Sequence, residues 1–263
     1  MAGTVTLTFT ASPAPVGSAC SAASDALMVT FSRPDRTVTG NEMLSGVYNN
    51  VLVTAGAVAT TGTLDIAGSL GVQNGGRLAG DGACAPITGL GTFTLEDGAQ
   101  LDICHSQGIA LSGATGQIQV TGTRSYSAGA TYAYVGSGAQ SSGNGLPFNL
   151  TGTLITNNGG AGVDLTNGLR LHNRLRLING DLRIGESASL TVVSNATGTG
   201  VIENQSGAVV GSATIQRYLE SSLSAAVGYH HLSSPVTTAP VSDLNTAGFT
   251  AVVNPLYNTA INP

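Results

Sequence analysis

The chain of 263 residues contains no lysine and no tryptophan, and only 9% of its residues are charged. All nine basic residues are arginines, the formal net charge is −5, and aromatic residues make up 5% of the chain. Proteins that bind nucleic acid need clustered basic side chains, and single strands also need aromatic side chains for base stacking. The composition therefore excludes a sustained nucleic-acid interface, and we expect no nucleic-acid partner.

Long apolar runs and metal-binding clusters are also missing. No apolar run reaches the roughly 18 residues that a membrane helix needs, so we expect no membrane insertion. The residues after Met1, AGTVTLTFT, lack the basic and apolar regions of a secretory signal. Cys20, Cys84 and Cys104 are too few and too widely spaced for a zinc site. The sequence predicts no metal ion and no cofactor.

What the chain does contain is glycine, with 37 residues, together with many small polar residues. Such a composition is typical of a disordered low-complexity segment or of a regular β repeat with many turns. Hydrophobic residues make up 41% of the chain and the mean hydropathy is +0.21. Disordered chains have little apolar content and a high net charge. The composition therefore favours a repetitive β protein.

Short units of the form apolar–x–apolar recur along the chain. Strand side chains alternate between the two faces, so each unit places two apolar residues inward and one residue outward. The last five units begin 6, 6, 7 and 8 residues apart, which is too close for antiparallel hairpins. The units are VLV 51–53, LDI 64–66, LGV 70–72, FTL 93–95, LDI 101–103, IQV 118–120, LIT 154–156, VDL 163–165, LRL 169–171, LRL 175–177, LRI 182–184 and LTV 190–192.

This spacing predicts an all-β fold, a right-handed parallel β-solenoid (β-helix) with partial β segments at both ends. Each unit would form one side of a coil of roughly 20 residues, and each coil would pack on its neighbours. We expect an N-terminal β segment or cap over 1–45, the solenoid repeat over 46–214, and a linker or truncated second β domain over 215–263.

Cys84 and Cys104 lie 20 residues apart, about one predicted coil. Equivalent positions on adjacent coils would be about 4.8 Å apart, close to the Cα separation in a disulfide. The spacing is compatible with a disulfide between them, and two small buried thiols are the alternative. Three cysteines allow at most one disulfide within the chain.

The run GTFTLEDGAQLDICHSQGIALSGATGQIQVTGTRSYSAGATYAYVGSGAQSSGNGLP resembles repeat segments of large secreted surface proteins of gliding-type Bacteroidetes. GYHHLSSPV and VSDLNTAGFTAVVNPLYNTA resemble the segment that follows those repeats. The resemblance covers roughly residues 90–260. Many of these proteins carry a C-terminal type IX secretion sorting domain. The resemblance implies an adhesive protein at the cell surface or released from it. Since neither a signal peptide nor a sorting domain is recognisable, we expect a fragment that continues into further domains.

The segment GLRLHNRLRLINGDLRI, residues 168–184, holds four of the nine arginines. Arg170, Arg176 and Arg183 are the middle residues of three units and are predicted to point outward. Consecutive units occupy different sides of a coil, so we expect these arginines to be spread around the coils. Solvated ion pairs with Asp164, Asp181 or Glu186 are the favoured interpretation, and contact with an acidic glycan is the alternative.

Tyr132 and Tyr134 alternate along one unit and would share a face of the strand. Core packing or a solvent-side ladder is the favoured interpretation, and a sugar-stacking platform is the alternative. Together with the three arginines, these tyrosines complete the set of candidate glycan contacts.

No catalytic residues are predicted. Glycoside hydrolysis needs two carboxylates flanking the bond, and Asp65 and Asp102 are outward residues that could meet on one face. His230, His231, Ser233, Ser234 and Asp243 supply the residue types of a serine triad, but no G-x-S-x-G elbow surrounds either serine. We therefore expect a non-enzymatic structural or adhesin-like repeat protein. The alternative is a β-helical polysaccharide lyase, a glycoside hydrolase or a glycan-binding module.

Overall fold

A computed structural model of the protein describes residues 33–218 and, beyond them, residues 240, 242, 245, 248 and 250. Almost all regular structure in these residues is β-strand, and they contain no helix long and apolar enough to cross a membrane. The strands are β1 Arg36–Val38, β2 Asn41–Val53, β3 Val58–Val72, β4 Arg77–Gly80, β5 Ile87–Thr88, β6 Thr92–Leu95, β7 Gln100–Ile103, β8 Arg124–Tyr126, β9 Thr131–Tyr134, β10 Gln140–Ser141, β11 Asn149–Leu150, β12 Thr153–Asn157, β13 Val163–Leu165, β14 Leu169–Leu171, β15 Arg174–Asn179, β16 Leu182–Ile184, β17 Leu190–Val192, β18 Ser194–Asn195, β19 Gly198–Thr199, β20 Val201–Asn204, β21 Val209–Val210 and β22 Ala213–Ile215.

The strands of the C-terminal half form three parallel stacks, which the chain visits in a fixed cyclic order. Strands β9, β12, β15 and β20 pair in the first stack, β10, β13, β16 and β21 in the second, and β11, β14, β17 and β22 in the third. We call one passage through the three stacks a coil. All these pairings are parallel, and the arrangement is consistent with a β-solenoid.

The N-terminal half follows the same scheme with longer strands. Strand β3 pairs with β4 near its start, with β5 in its middle and with β6 at its end. Strand β2 pairs with β3 along its length, with register shifts between Leu44 and Gly46 and between Tyr48 and Asn50. These two strands therefore run through all three stacks, and they join the N-terminal strands and the first stack into one sheet of twelve strands.

The core is a column of inward apolar side chains from successive coils. Leu154 pairs in register with Leu175, and both are almost completely buried, whereas Arg176 next to Leu175 points outward. Each fully buried leucine stabilises the fold by about 1.5–3 kcal/mol relative to an exposed one. The alternation seen in the sequence is therefore the alternation between core and solvent.

Glycines form one corner between the third stack and the first. The N–H of Gly56 donates to the carbonyl of Gly75 at 3.0 Å, and the N–H of Gly75 donates to that of Gly98 at 3.1 Å. Each has a positive φ, of 76°, 78° and 74° respectively. Residues with a Cβ rarely adopt this conformation, so repeated turns of this shape require glycine.

Most predicted units are strands of the structure. Residues 118–120 are the exception, since only Ile118 forms an isolated bridge there, to Ile87. Parallel pairing begins at Arg36, within the segment that the sequence assigned to a cap. Coil length varies from one coil to the next. Thr153 pairs with Arg174, close to the expected coil length, whereas Gln100 pairs with Thr131, so that coil is longer. The longest coil contains the segment 104–123 between β7 and β8, which we call the inserted segment because the extra residues lie within it; its last part still pairs with the preceding coil at Ile87.

Truncating a core leucine tests the stacking. Leu175→Ala should lower the free energy of unfolding by about 2–5 kcal/mol, because it leaves a cavity between coils. Leu90 is 79% exposed. Leu90→Ala is therefore the matched control, and it should change stability by less than about 0.5 kcal/mol. Denaturant unfolding followed by circular dichroism measures both, and equal effects would contradict the core assignment.

Candidate functional site

The arginines of the segment 168–184 lie on three different stacks. Arg170 is in β14 of the third stack, Arg176 in β15 of the first and Arg183 in β16 of the second. They are therefore spread around the coils and do not form a continuous basic strip.

Three of the four arginines in this segment form ion pairs at the surface. Arg183 Nε lies 2.5 Å from an Asp164 oxygen, and Asp164 pairs with Arg183 in register. The hydrogen bond that Arg183 donates to Asp164 raises the pKa of Arg183, and the negative charge of the same carboxylate adds to the shift. Arg176 donates to Glu203 at 3.1 Å, and Arg174 contacts the same carboxylate at 3.2 Å. Exposed pairs of this kind contribute only about 0–1 kcal/mol each.

The sequence did not identify Glu203 as a partner, since it lies 27 residues from Arg176. Parallel register brings the two together on adjacent strands. Of the expected partners, Asp164 pairs with Arg183, whereas Asp181 accepts the backbone N–H of Ala208 at 2.8 Å. Among the described residues, no ion pair engages Glu186 or Arg170.

Tyr132 and Tyr134 are core residues with no exposed surface. Their hydroxyl groups donate to the backbone carbonyls of Ser127 at 2.7 Å and Ser142 at 2.6 Å. Burial raises the pKa of both phenols. The sugar-contact alternative therefore does not hold for these tyrosines, because neither ring presents a face to solvent.

Asp65 and Asp102 do not meet on one face. Asp65 lies in the middle of β3, in register with Thr88 of the second stack, and forms an ion pair with Arg33. Asp102 lies in β7 of the first stack and is only 4% exposed. It accepts hydrogen bonds from Arg77 and, at 2.7 Å, from Gln100. The bond to Asp102 raises the pKa of Arg77.

Within residues 33–218, no three His, Cys, Asp or Glu side chains gather into a group that could hold a metal ion. Most of the carboxylates there bind arginine, an amide, a hydroxyl group or a backbone N–H of a neighbouring segment. The serine and histidine residues 230–234 and Asp243 lie outside the described residues.

A groove of about 490 Å³, lined by both polar and apolar residues, crosses the outer face of the third stack in the first coils. Asp35 at its edge accepts hydrogen bonds from Asn49 and Asn50, and these bonds lower its pKa. Arg36 beside it is paired with Glu42. The charged groups at this edge therefore already have partners.

The inserted segment is tied to the preceding coil by a disulfide. Cys84 and Cys104 are bonded, with their Cα atoms 5.5 Å apart. The two cysteines are not equivalent in register, since Arg77 pairs with Gln100 and so aligns Asp81 with Cys104. The chain reaches the bond through a bend in which Cys84 has a φ of 56°.

Gln117 anchors the middle of the inserted segment. Its side chain is 2% exposed, and its carbonyl oxygen accepts the backbone N–H groups of Cys104 at 3.2 Å and His105 at 3.1 Å. Its amide nitrogen donates to the carbonyl of Ala85 at 3.4 Å. A single amide therefore ties the start of the segment, at Cys104 and His105, to the coil before it.

Arg124 anchors the end of the same segment without a carboxylate partner. The residue is 5% exposed, and it donates to the carbonyls of Val120 at 2.8 Å, Ala110 at 3.0 Å and Gly113. Burial lowers the pKa of Arg124. Backbone carbonyls thus take the place of a counter-ion, and the segment is drawn around the guanidinium.

A cleft of about 340 Å³ lies beside the anchored segment, and most of its wall is apolar. Leu111 and Phe148 are 54% and 56% exposed, an unusual fraction for large apolar side chains in this chain. No charged residue lines the cleft. The lining residues are Leu111, Tyr126, Asn144, Gly145, Leu146, Pro147, Phe148, Asn167 and Gly168.

The residues that line the cleft pack closely against neighbouring residues. Tyr126 packs against Phe93 with ring centres 5.4 Å apart, and its hydroxyl group donates to the carbonyl of Ala110 at 3.3 Å. The Phe148 ring approaches Gly168 so closely that an added Cβ would lie 3.1 Å from its edge. Asn144 accepts the backbone N–H of Leu111 at 3.0 Å.

The sequence interpretation missed this cleft. Its aromatic candidates, Tyr132 and Tyr134, point inward, and Phe148 was not among them. The segment FNL, residues 148–150, has the apolar–x–apolar form, yet only Leu150 is buried whereas Phe148 is exposed. The available signal was the segment GNGLPF, residues 143–148, where the pair Asn144-Gly145 and Pro147 mark a turn before β11.

Removing the disulfide should destabilise the fold. For a separation of 20 residues, the chain-entropy model gives about 3 kcal/mol for replacing both Cys84 and Cys104 with serine. In this double variant we expect faster backbone hydrogen exchange over residues 104–123, measured by mass spectrometry. Cys20→Ser, which leaves the bond in place, is the control, and unchanged exchange in the double variant would contradict the anchoring role.

Arg124→Met should loosen the same segment, because a side chain of similar length would leave three carbonyls without their donor. We expect a loss of about 2–4 kcal/mol in unfolding free energy, since hydrogen bonds to charged groups and unpaired buried acceptors each carry 1–3 kcal/mol. Arg170→Met, at a partly exposed position, should cost less than about 0.5 kcal/mol. Thermal unfolding of both variants measures the difference, and a neutral Arg124→Met would refute the anchor.

No family model, curated protein or solved structure matches the chain.

Proposed function

We propose that the coils close into a right-handed parallel β-solenoid that serves as a non-enzymatic, adhesin-like spacer and presents binding regions outside the cell. The observation that carries this proposal is the unbroken register of the first stack. One row of residues continues through eight strands: Asn41, Val58, Arg77, Gln100, Thr131, Thr153, Arg174 and Val201. Such continuity gives a stiff body whose length grows with each coil.

The disulfide supports the extracellular part of the proposal. Disulfides such as Cys84–Cys104 form and persist in oxidising environments, and they are rare in the cytosol. The sequence phrases shared with secreted Bacteroidetes repeat proteins point in the same direction. We therefore propose that the chain belongs to that group and that the protein continues into further domains.

The non-enzymatic part rests on how the carboxylates are used. Asp102, the most buried of the described acids, is held by Arg77 and Gln100, and Asp65 is held by Arg33 on another stack. A glycoside hydrolase needs two carboxylates at about 5–10 Å on either side of the sugar bond. These two acids are structural partners of arginine instead.

A glycan-binding module is the second candidate function, and the cleft beside Phe148 favours it. The cleft combines exposed apolar walls with two asparagine side chains. In this version the same solenoid is the scaffold and the cleft is one of the regions that it presents.

Spin labels at both ends of the first stack test the spacer. Asn41→Cys and Val201→Cys, in a Cys20→Ser background, lie seven strand spacings apart, which gives about 34 Å. Because the coils are stacked rigidly, we expect double electron–electron resonance to give a narrow distribution of spin-label distances near this value. A broad distribution or a clearly shorter mean would overturn the spacer.

Incubation with neutral and acidic polysaccharides tests the absence of catalysis. The expected result is no new reducing or unsaturated ends above the buffer control. Turnover of any polysaccharide that is lost in Asp102→Asn and retained in Asp164→Asn would overturn the non-enzymatic assignment in favour of the carbohydrate-active enzyme.

A further inference from the structure

We propose that the cleft beside Phe148 binds one or two neutral sugar residues of a glycan. The inference rests on the proposed function as a scaffold that presents binding regions, and it names the site and the ligand class. The cleft volume of about 340 Å³ lies at the lower end of the range for clefts that hold small ligands.

The apolar wall matches the C–H face of a sugar ring. Phe148 is 56% exposed, and its ring is supported from behind by the backbone of Gly168. Leu111, 54% exposed, belongs to the same lining, together with Tyr126. A ring presented in this way can stack on a flat ligand without first leaving a core position.

The polar groups of the cleft match hydroxyl groups. Among the described residues, no hydrogen bond engages the side chain of Asn167, so its amide offers both donors and an acceptor. Asn144 also lines the cleft, and its oxygen accepts from Leu111, whereas no hydrogen bond among the described residues uses its amide nitrogen. Amides of this kind fix the orientation of a ligand that the apolar wall holds.

The absence of charge in the lining selects a neutral ligand. An acidic sugar would bring a carboxylate against Leu111, Leu146 and Phe148 and would find no basic side chain in the lining. Burying an unpaired charge is costly. Arg170 lies close by, since its N–H donates to the Phe148 carbonyl, but its side chain is not part of the cleft.

Preorganisation favours a small ligand over a protein partner. The disulfide, Gln117 and Arg124 hold the inserted segment that carries Leu111, so binding would not have to order it. A stable protein interface buries about 800 Å² on each partner, which is far more surface than a cleft of this size offers.

Nuclear magnetic resonance titration of the full chain with cellobiose, maltose and lactose tests the site. A single sugar-sized site of this kind should bind at least one of them with a Kd of about 1 mM, and the signals of Leu111 and Phe148 should shift. Trigalacturonate is the acidic comparison, and it should shift neither signal.

Two variants locate the binding. Phe148→Ala removes the stacking ring and should weaken binding about tenfold, in line with the contribution of an aromatic contact. Gly168→Ala keeps the ring but places a Cβ 3.1 Å from its edge, so the ring must move and binding should also weaken. Leu90→Ala, at another exposed apolar position, should leave the Kd unchanged.

The contrary outcomes are distinct. No shift at about 10 mM of any neutral disaccharide, an affinity weaker than the one expected here, would overturn the inference. Shifts that persist in Phe148→Ala, or that only trigalacturonate produces, would overturn it as well. The spin-label distance and the turnover assay report on the scaffold by themselves, so a failure of the cleft and a failure of the proposed function are separable.

Discussion

Parallel backbone pairing between consecutive coils is the constraint on which the rest of this structure depends. A strand inside a stack has a partner in the coil before and in the coil after, so an inward position such as Leu154 is matched by Tyr132 on one side and Leu175 on the other. A residue suited to the core in one coil must therefore suit the same column in the next. This repetition explains why leucine, valine and isoleucine occupy the inward positions while glycine holds the corner at Gly75 and Gly98.

The sequence predicted the strands well because their signal is local. An apolar–x–apolar unit needs only three residues to show which side chains face the core, and LRL 175–177 lies inside β15 as expected. Which strands become neighbours is not local, since it depends on coil length. Arg176 therefore meets Glu203, and Asp65 is separated from Asp102, for reasons that no short window of sequence contains. Unit IQV 118–120 buries Ile118 and Val120 as the pattern predicts and pairs with the coil before it at Ile87, although it forms an isolated bridge rather than a strand.

The candidate cleft was harder to predict than the fold because it depends on a departure from the repeat. Phe148 is exposed in the bend that precedes β11, although FNL 148–150 has the apolar–x–apolar form, and Leu111 of the inserted segment lies near it. The tyrosines that do obey the alternation, Tyr132 and Tyr134, are buried and satisfied by backbone carbonyls. Regular positions thus serve the core, and side chains that interrupt the pattern become available for contact with a ligand.

The inserted segment departs from the repeat, although part of its backbone still pairs with the adjacent coils through Gln119 and Ile87 and through Ile109 and Ser142. Side chains add to this pairing: Gln117 binds N–H groups, and Arg124 binds carbonyls in a site where its charge has no carboxylate. Burying a guanidinium in this way is expensive unless its donors are satisfied. Apolar residues around a plain corner would stabilise a coil at lower cost. Retaining a buried charge and a disulfide around one insertion is therefore best explained if the shape of that insertion, with the cleft beside it, is what the coils hold in place.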